Sequence, residues 1–492
     1  MRVVIWIQVC GILLATNCIS ADDLPENVIE NTEENFFSHL CDFDNSSGLI
    51  SSENFCNCDV TPSPVIGRPT VVIDCHLSEG VTNLTNDIFK AEKLPINTVT
   101  LILSYQNFLE IPIFVGPLLE SLDMSNNRIA NIKTQNFVYV KSLQKLDLSY
   151  NNISEINFEA FDLLTFLFHL DLSNNNLKTL PENTFTPLIA LENLILSSNA
   201  ALGQSLENKI VNFAVTDIYR HFGVSPNVKL LDLERCNITS ITLLEGVGLL
   251  ELKIGFNLIT NLTNIILPLN IQKLDVSGNP IRDVSLHILK NLTELVMEDL
   301  PYLGSIEGFR LNNFPNIEKL SLEGSKNFST FPDDTFITTE MLENSTDFNF
   351  KKLNLRGCNI RTLDSSLLET FERLDELHLD GNPINCDCNI KWMKNLELKT
   401  NLRCKKPSSL QDKLLDDIHE DDLKCSRMTT FMRKVLNSII LIVLLIGCSL
   451  AIWCFFRQLK PSSRRTKFQK IGPDSPYQRV TIEPHRAEYS LY

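Results

Sequence analysis

Three hydrophobic patterns organise the chain. The first lies at the start, where Met1 and Arg2 precede an apolar run from Val3 to Ala15 and then Cys18-Ile19-Ser20. A charged end, a short apolar core and small residues at the −3 and −1 positions predict a secretory signal peptide over 1–20, cut after Ser20. The second is Val435 to Phe456, 22 residues without a charge. At about 1.5 Å per residue, a helix of that length spans the ~30 Å hydrocarbon core of a bilayer. The third fills the middle. From about residue 96 to 385 the order L-x-x-L-x-L-x-x-N-x-L-x-x-L recurs, most clearly as LLESLDMSNNRIANI from Leu118, LQKLDLSYNNISEI from Leu143 and LFHLDLSNNNLKTL from Leu167.

With the fourth position as marker, the units fall at Leu101, Leu122, Leu146, Leu170, Leu194, Leu231, Leu252, Leu274, Leu295, Leu320, Leu353 and Leu377, which makes twelve. Most steps are 21 to 25 residues; Leu194 to Leu231 is 37 and Leu320 to Leu353 is 33. The alternating L-x-L is a strand with one buried face. The Asn that follows, at Asn127, Asn151, Asn175, Asn199, Asn257, Asn279 and Asn382, carries a donor and an acceptor that can satisfy backbone groups left open by a turn. One unit cannot bury its own apolar face, so units must stack. Other residues take the Asn position in five units: Gln106, Ser325, Leu300, Cys236 and Cys358. Leu300 brings no polar group, which predicts an irregular turn over 300–306. Cys236 and Cys358 stand five repeats apart, on the order of 20 Å for strands ~4.8 Å apart, beyond disulfide reach.

This period and motif resemble the leucine-rich-repeat family. The resemblance implies an α/β solenoid: a horseshoe with a concave parallel β-sheet, capped ends and, here, one transmembrane helix. It also implies buried thiols at Cys236 and Cys358 as substitutes for Asn.

Cysteine placement fits that plan. Cys41, Cys56, Cys58 and Cys75 precede the repeats; Cys386, Cys388, Cys404 and Cys425 follow them. Two groups of four flanking an open-ended array in an oxidising compartment read as disulfide caps. Four thiolates at C-x-C spacing could also bind zinc, but secretion argues against it. Four cysteines permit three connectivities. NPINCDCNIKWMKNL, with Trp392, resembles the C-terminal cap of extracellular leucine-rich-repeat proteins, which implies Cys386–Cys404 and Cys388–Cys425. The expected divisions are 21–95 for the N-terminal cap, 96–385 for the repeats, 386–426 for the C-terminal cap, 427–434 for a stalk, 435–456 for the membrane helix and 457–492 for a cytoplasmic tail.

Charge orients the chain. The formal total is −16, but the tail carries eight Lys/Arg against three Asp/Glu, which leaves −21 on the remainder. A basic side belongs in the cytoplasm, which agrees with a signal peptide that places the N-terminus outside. The expectation is a single-pass type I protein of the plasma membrane. An acidic ectodomain argues against nucleic acid as partner, and the basic tail is expected to lie on anionic lipid.

Candidate binding residues sit outside the strands' buried face. Large side chains precede the Asn position at Tyr105, Tyr150 and Phe256, where small ones would serve, and Arg235 and Arg356 lie beside or one position from the same row. Aromatic and Arg side chains are the usual anchors of protein interfaces. An aspartate recurs between the two leucines at Asp123, Asp147, Asp171, Asp232 and Asp275, a consequence of the L-D-L strand itself. Asn-x-Ser/Thr at Asn45, Asn83, Asn152, Asn237, Asn261, Asn291, Asn327 and Asn344 are candidate N-glycosylation sites. In the tail, Tyr477 and Val480 frame a tyrosine-x-x-bulky signal for endocytic adaptors, and Ser490-Leu491-Tyr492 faintly resembles a ligand for a PDZ-type adaptor.

There is no catalytic constellation and no Gly-rich phosphate loop, and no cofactor is expected. His169 and His378 lie far apart with no nucleophile beside either. The expectation is a non-enzymatic receptor or adhesion protein that binds an extracellular or cell-surface protein. The alternatives are an immune or signalling coreceptor acting through a partner receptor, and a structural protein shed into apical matrix.

Overall fold

The computed structural model describes residues 56–61, 70–75, 94, 97–206, 210–211, 214–215, 217–307, 309–332, 335–336, 349–398, 400–425 and 427–458. The signal peptide, Cys41, Asn45, Asn83, Asn344 and the tail with Tyr477 and Val480 lie outside these residues. Two units are distinct, residues 1–425 and 426–492.

The first unit is built on one 14-stranded sheet whose strands follow chain order. β1 (Asn57–Thr61) and β2 (Thr70–Asp74) form an antiparallel hairpin, and β3 (Thr98–Ile102) joins β2 in parallel. Eleven three-residue strands follow, from β4 (Ser121–Asp123) to β14 (Glu376–His378). Each is centred on a marker leucine, and the register places marker beside marker: Leu101 with Leu122, Leu122 with Leu146, and so on to Leu353 with Leu377. Twelve sequence units thus become twelve consecutive parallel strands, β3 to β14. All twelve markers are buried, as are the leucines or their substitutes two positions on. Burying apolar area at about 25 cal/mol per Å² is what stacks the units.

The turn after each strand is held by its Asn. The Asn175 amide donates to the Leu148, Leu172 and Ser173 carbonyls at 2.9, 3.1 and 3.1 Å, and its Oδ1 accepts the Ile153 N–H at 2.9 Å. Asn127, Asn257 and Asn279 repeat the pattern. Cys236 and Cys358 keep part of it. Their thiols donate to the Leu196 and Leu322 carbonyls of the preceding repeat at 3.3 and 3.2 Å, the bond that Asn175 makes to Leu148. Burial pushes both thiols up to about 12, so they stay protonated donors. The irregular turn expected at Leu300 does not occur. Leu300 is buried, its N–H donates to Ser325 Oγ at 3.1 Å, and Asp299 keeps the backbone conformation of its counterparts in other repeats. That bond is the one Gln106 and Cys236 make to Asn127 and Asn257 of the next repeat, so the turn is held from that side although the Leu300 side chain itself offers no polar group.

Opposite the sheet, phenylalanines 24 residues apart stack: Phe137 on Phe161 and Phe161 on Phe185, each pair with centroids 6.3 Å apart. Both ends are closed. Cys56 pairs with Cys75, and Cys58 is also disulfide-bonded. Gln106 reaches back to the Cys75 carbonyl at 2.6 Å and ties the hairpin to the first repeat. At the other end Cys386 pairs with Cys404 and Cys388 with Cys425. Trp392 packs on Phe371 and donates to the Leu363 carbonyl at 3.4 Å.

Among the described residues, the second unit holds one helix, Arg427–Gln458. Its segment Lys434–Trp453 is long and apolar enough to cross a membrane.

Candidate binding surface of the solenoid

The residue just before each ladder position has left-handed backbone in all twelve repeats. The column reads Tyr105, Asn126, Tyr150, Asn174, Ser198, Arg235, Phe256, Gly278, Asp299, Gly324, Gly357 and Gly381, with φ between 51° and 75°. The cause is the turn. The N–H at this position donates along the solenoid to the next repeat's carbonyl, as Tyr150 does to Ser173 at 3.0 Å and Phe256 to Ser277 at 2.6 Å. Glycine and asparagine adopt this conformation readily; for other L-residues it costs roughly 1–2 kcal/mol. Two tyrosines, an arginine and a phenylalanine therefore occupy positions where the backbone favours something smaller.

The structure refines the sequence reading of this row. Arg235 lies within the column, whereas Arg356 lies one position before it. Tyr105 and Tyr150 are more than half exposed, and Phe256 is 38% exposed. Arg235 and Phe256 are joined: the guanidinium sits 4.0 Å from the ring centroid, a cation–π contact. The Phe256 ring in turn lies over the Cα of Gly278, where an added Cβ would come within 2.4 Å of it. Arg356 is committed elsewhere, to Asp380 at 2.8 Å and Glu323 at 3.9 Å. The five residues do not converge on one spot. Arg235 and Phe256 form a pair, Tyr105 and Tyr150 stand two repeats from each other with Tyr150 three repeats before Arg235, and Arg356 is four repeats beyond Phe256.

The sheet face differs between its halves. Towards the N-terminal end Asp123, Asp147 and Asp171 stand on adjacent strands, each accepting the N–H two residues on at 2.8, 2.9 and 2.8 Å. These carboxylates cap strand ends. Burial, with help from the charges of Asp171 and Asp123, raises the pKa of Asp147. Asp232, Glu234 and Glu298 are also raised, chiefly by burial. Towards the C-terminal end the face is laced by ion pairs of Lys319 and Lys273 with Glu294 at 3.6 and 3.9 Å, and of Lys352 with Glu376 at 2.5 Å. His169 and His378 are eight strands apart on this face. A shallow dip among Glu251, Lys253, Lys273, Asp275 and Glu294 encloses about 190 Å³, below the ~300 Å³ of the smallest usual small-molecule pockets.

Of the sequons within the described residues, Asn152, Asn237, Asn291 and Asn327 are exposed and Asn261 is half-buried. Asn261 caps a short 3₁₀ turn, its Oδ1 accepting the Thr263 N–H at 2.9 Å.

This architecture is the leucine-rich-repeat solenoid fold. Residues 117–177 match the family model "Leucine rich repeat". Among curated relatives, the rat (Rattus norvegicus) platelet glycoprotein Ib beta chain is 33% identical over 82 residues, covering 15% of this chain and 40% of the relative. A peroxidasin homolog of Caenorhabditis briggsae is 33% identical over 72 residues, covering 14% of this chain and 6% of the relative. The chain spans less than half the length of the curated relatives it matches. Similar solved structures include a TLR13–ssRNA13 complex, with TM-score 0.46 and 22% identity over 68% of this chain and 53% of that one. The Drosophila Toll–Spatzle complex has TM-score 0.42 and 18% identity over 70% and 57%.

Proposed function

We propose that this protein is a receptor or adhesion protein of the plasma membrane, anchored by the helix within 427–458, whose solenoid binds a protein ligand and performs no catalysis. The observation that carries this reading is the left-handed column. Bulky side chains at Tyr105, Tyr150, Arg235 and Phe256 occupy positions where the backbone favours glycine or asparagine. Tyr105 and Tyr150 are more than half exposed, so the fold buries only part of each ring. Such residues are well suited to be anchors in an interface, where aromatic and Arg side chains dominate the energy. The shallow sheet favours an extended protein surface over a small molecule. Asn152, Asn237, Asn261, Asn291 and Asn327 are proposed as glycan attachment points, and an outside N-terminus follows from the charge distribution.

The test is expression of the full chain, fused to a proximity-labelling enzyme, on living cells. Aggregation of expressing cells, with a labelled surface protein on the apposed cell, supports adhesion. Labelling of a signalling receptor in the same membrane without aggregation assigns the coreceptor role instead. Recovery of most of the protein in the medium contradicts a membrane-held receptor.

A further inference from the structure

The flank of the solenoid that leads into the strands carries a run of exposed apolar side chains. Five positions before the marker leucine stand Ile189, Pro226, Val247 and Leu269, in four consecutive repeats. Ile189, Val247 and Leu269 are 63%, 59% and 72% exposed, and Pro226 is exposed. Phe166, 64% exposed, stands four positions before its marker in the preceding repeat, one place out of register. Isolated surface hydrophobics need no explanation, but a row in register does.

The row is fixed in place. Asn227 donates to the Ile189 carbonyl at 3.0 Å and Asn270 to the Val247 carbonyl at 2.8 Å. Gly248 lies so close to the Pro226 carbonyl that a Cβ would approach it to 2.2 Å. A preformed row loses little entropy on docking. Two charge pairs beside it are matched within the chain, Lys229 with Glu192 at 2.7 Å and Arg220 with Glu245, and the exposed Lys290 takes the same position in the repeat beyond Leu269. The opposite flank offers no comparable run among the described residues. Its exposed apolar side chains, Leu109, Leu258 and Tyr302, fall in the first, seventh and ninth repeats. Asn152, Asn237, Asn261 and Asn327 also stand on that side, six to nine residues after their markers. Asn291, whose amide donates to the Leu269 carbonyl at 3.3 Å, marks the end of the row.

We propose that a second copy of this chain docks on the row, centred on Pro226 and Val247. Charge selects the occupant. A chain of net charge −16 repels its own copy wherever carboxylates are unpaired, as along the aspartates of the sheet, and does so least where the border is already neutralised. A two-fold pairing presents the same patch from both sides, so the apolar row meets an apolar row. The five side chains expose roughly 600 Å² per copy, which brings two copies to the ~1,200 Å² at the lower end of specific interfaces.

The experiment co-expresses two differently tagged full-length chains and measures co-capture after membrane-impermeant cross-linking, at equal surface amount. The test variant is Ile189→Glu with Val247→Glu; Leu258→Glu, on the other flank, is the control. Wild-type copies and the control are expected to co-capture equally, and the double variant at least tenfold less. Leu269→Lys, a single exposed change, replaces the double variant if that fails to reach the surface, with the same expectation. Absence of wild-type co-capture, undiminished capture of the flank variant, or equal loss in the control overturns the proposal. So does loss of a different cross-linked protein while self-capture persists.

Discussion

Replacing Asn175 by alanine isolates the contribution of the ladder. The Ile153 N–H loses the acceptor it has in Asn175 Oδ1. The Leu148 and Leu172 carbonyls each lose one of two donors, since Asn151 still reaches the first and Asn199 the second. An orphaned buried N–H costs about 1–3 kcal/mol, and each weakened carbonyl about 0.5–1 kcal/mol. The expected loss is about 3 kcal/mol, a large share of the 5–15 kcal/mol that typically holds a domain. Asn175→Cys should cost less. A thiol there can donate to Leu148 as Cys236 donates to Leu196, while the Ile153 N–H stays open. Denaturant unfolding of the detergent-purified full chain, followed by circular dichroism, should rank stability as Asn, then Cys, then Ala. A loss below about 0.5 kcal/mol for Ala, or Cys worse than Ala, would refute the assignment of these bonds as the main support of the turn.

Leu146→Asp with Leu170→Asp places two carboxylates among fully buried leucines; each should cost several kcal/mol, and a thermally unchanged protein would contradict the buried-strand register. Tyr150→Asn puts in the residue found at Asn126 and Asn174 in the flanking repeats; relief of backbone strain and loss of the ring's partial burial roughly cancel, so thermal unfolding should show a change within about 1 kcal/mol of zero. The raised carboxylates give a pH signature. A folded-state pKa above the unfolded one means that the fold binds the proton more tightly, so ionised Asp147, Asp232 and Glu298 oppose folding at neutral pH, and that opposition fades as pH falls towards the ordinary carboxylate range near ~4. Asp147→Asn, which can keep the bond to the Ser149 N–H as Asn354 keeps that to Arg356, should raise the unfolding midpoint at pH 7 and flatten its pH dependence over that interval.

Much of the fold is legible in the leucines because one unit's register repeats. A marker at Leu122 predicts Leu146 and Leu170, and the sheet pairs those same residues. Cys236 and Cys358 were also readable, since a thiol retains the donor that the turn uses. Two features were not. The left-handed column spans Tyr, Asn, Ser, Arg, Phe, Asp and Gly, so no residue type marks its backbone conformation, although counting from Cys236 and Cys358 already puts Arg235 in the row and Arg356 one place before it. The stacked Phe137, Phe161 and Phe185 lie where the motif is loosest, although their 24-residue spacing was a usable signal. Leu300 shows the opposite error. An apolar residue at a polar position predicts a broken turn, but a sequence unit read alone does not show that Ser325 of the next repeat still takes the Leu300 N–H and reaches the Met297 carbonyl. The flank row was missed for a related reason: Ile189, Val247 and Leu269 look like core leucines until burial separates them from their neighbours.

If the bulky column residues hold a protein ligand, replacing them by the small residues of neighbouring repeats should release it. The direct measurement compares proximity labelling by the full-length wild-type chain with that by a Tyr105→Asn, Tyr150→Asn, Phe256→Gly variant on living cells at matched surface amount. One or a few extracellular proteins labelled by the wild type should fall at least tenfold in the variant, while the variant's unfolding midpoint stays near that of the wild type. An unchanged labelling profile from a folded variant would contradict that role of the column.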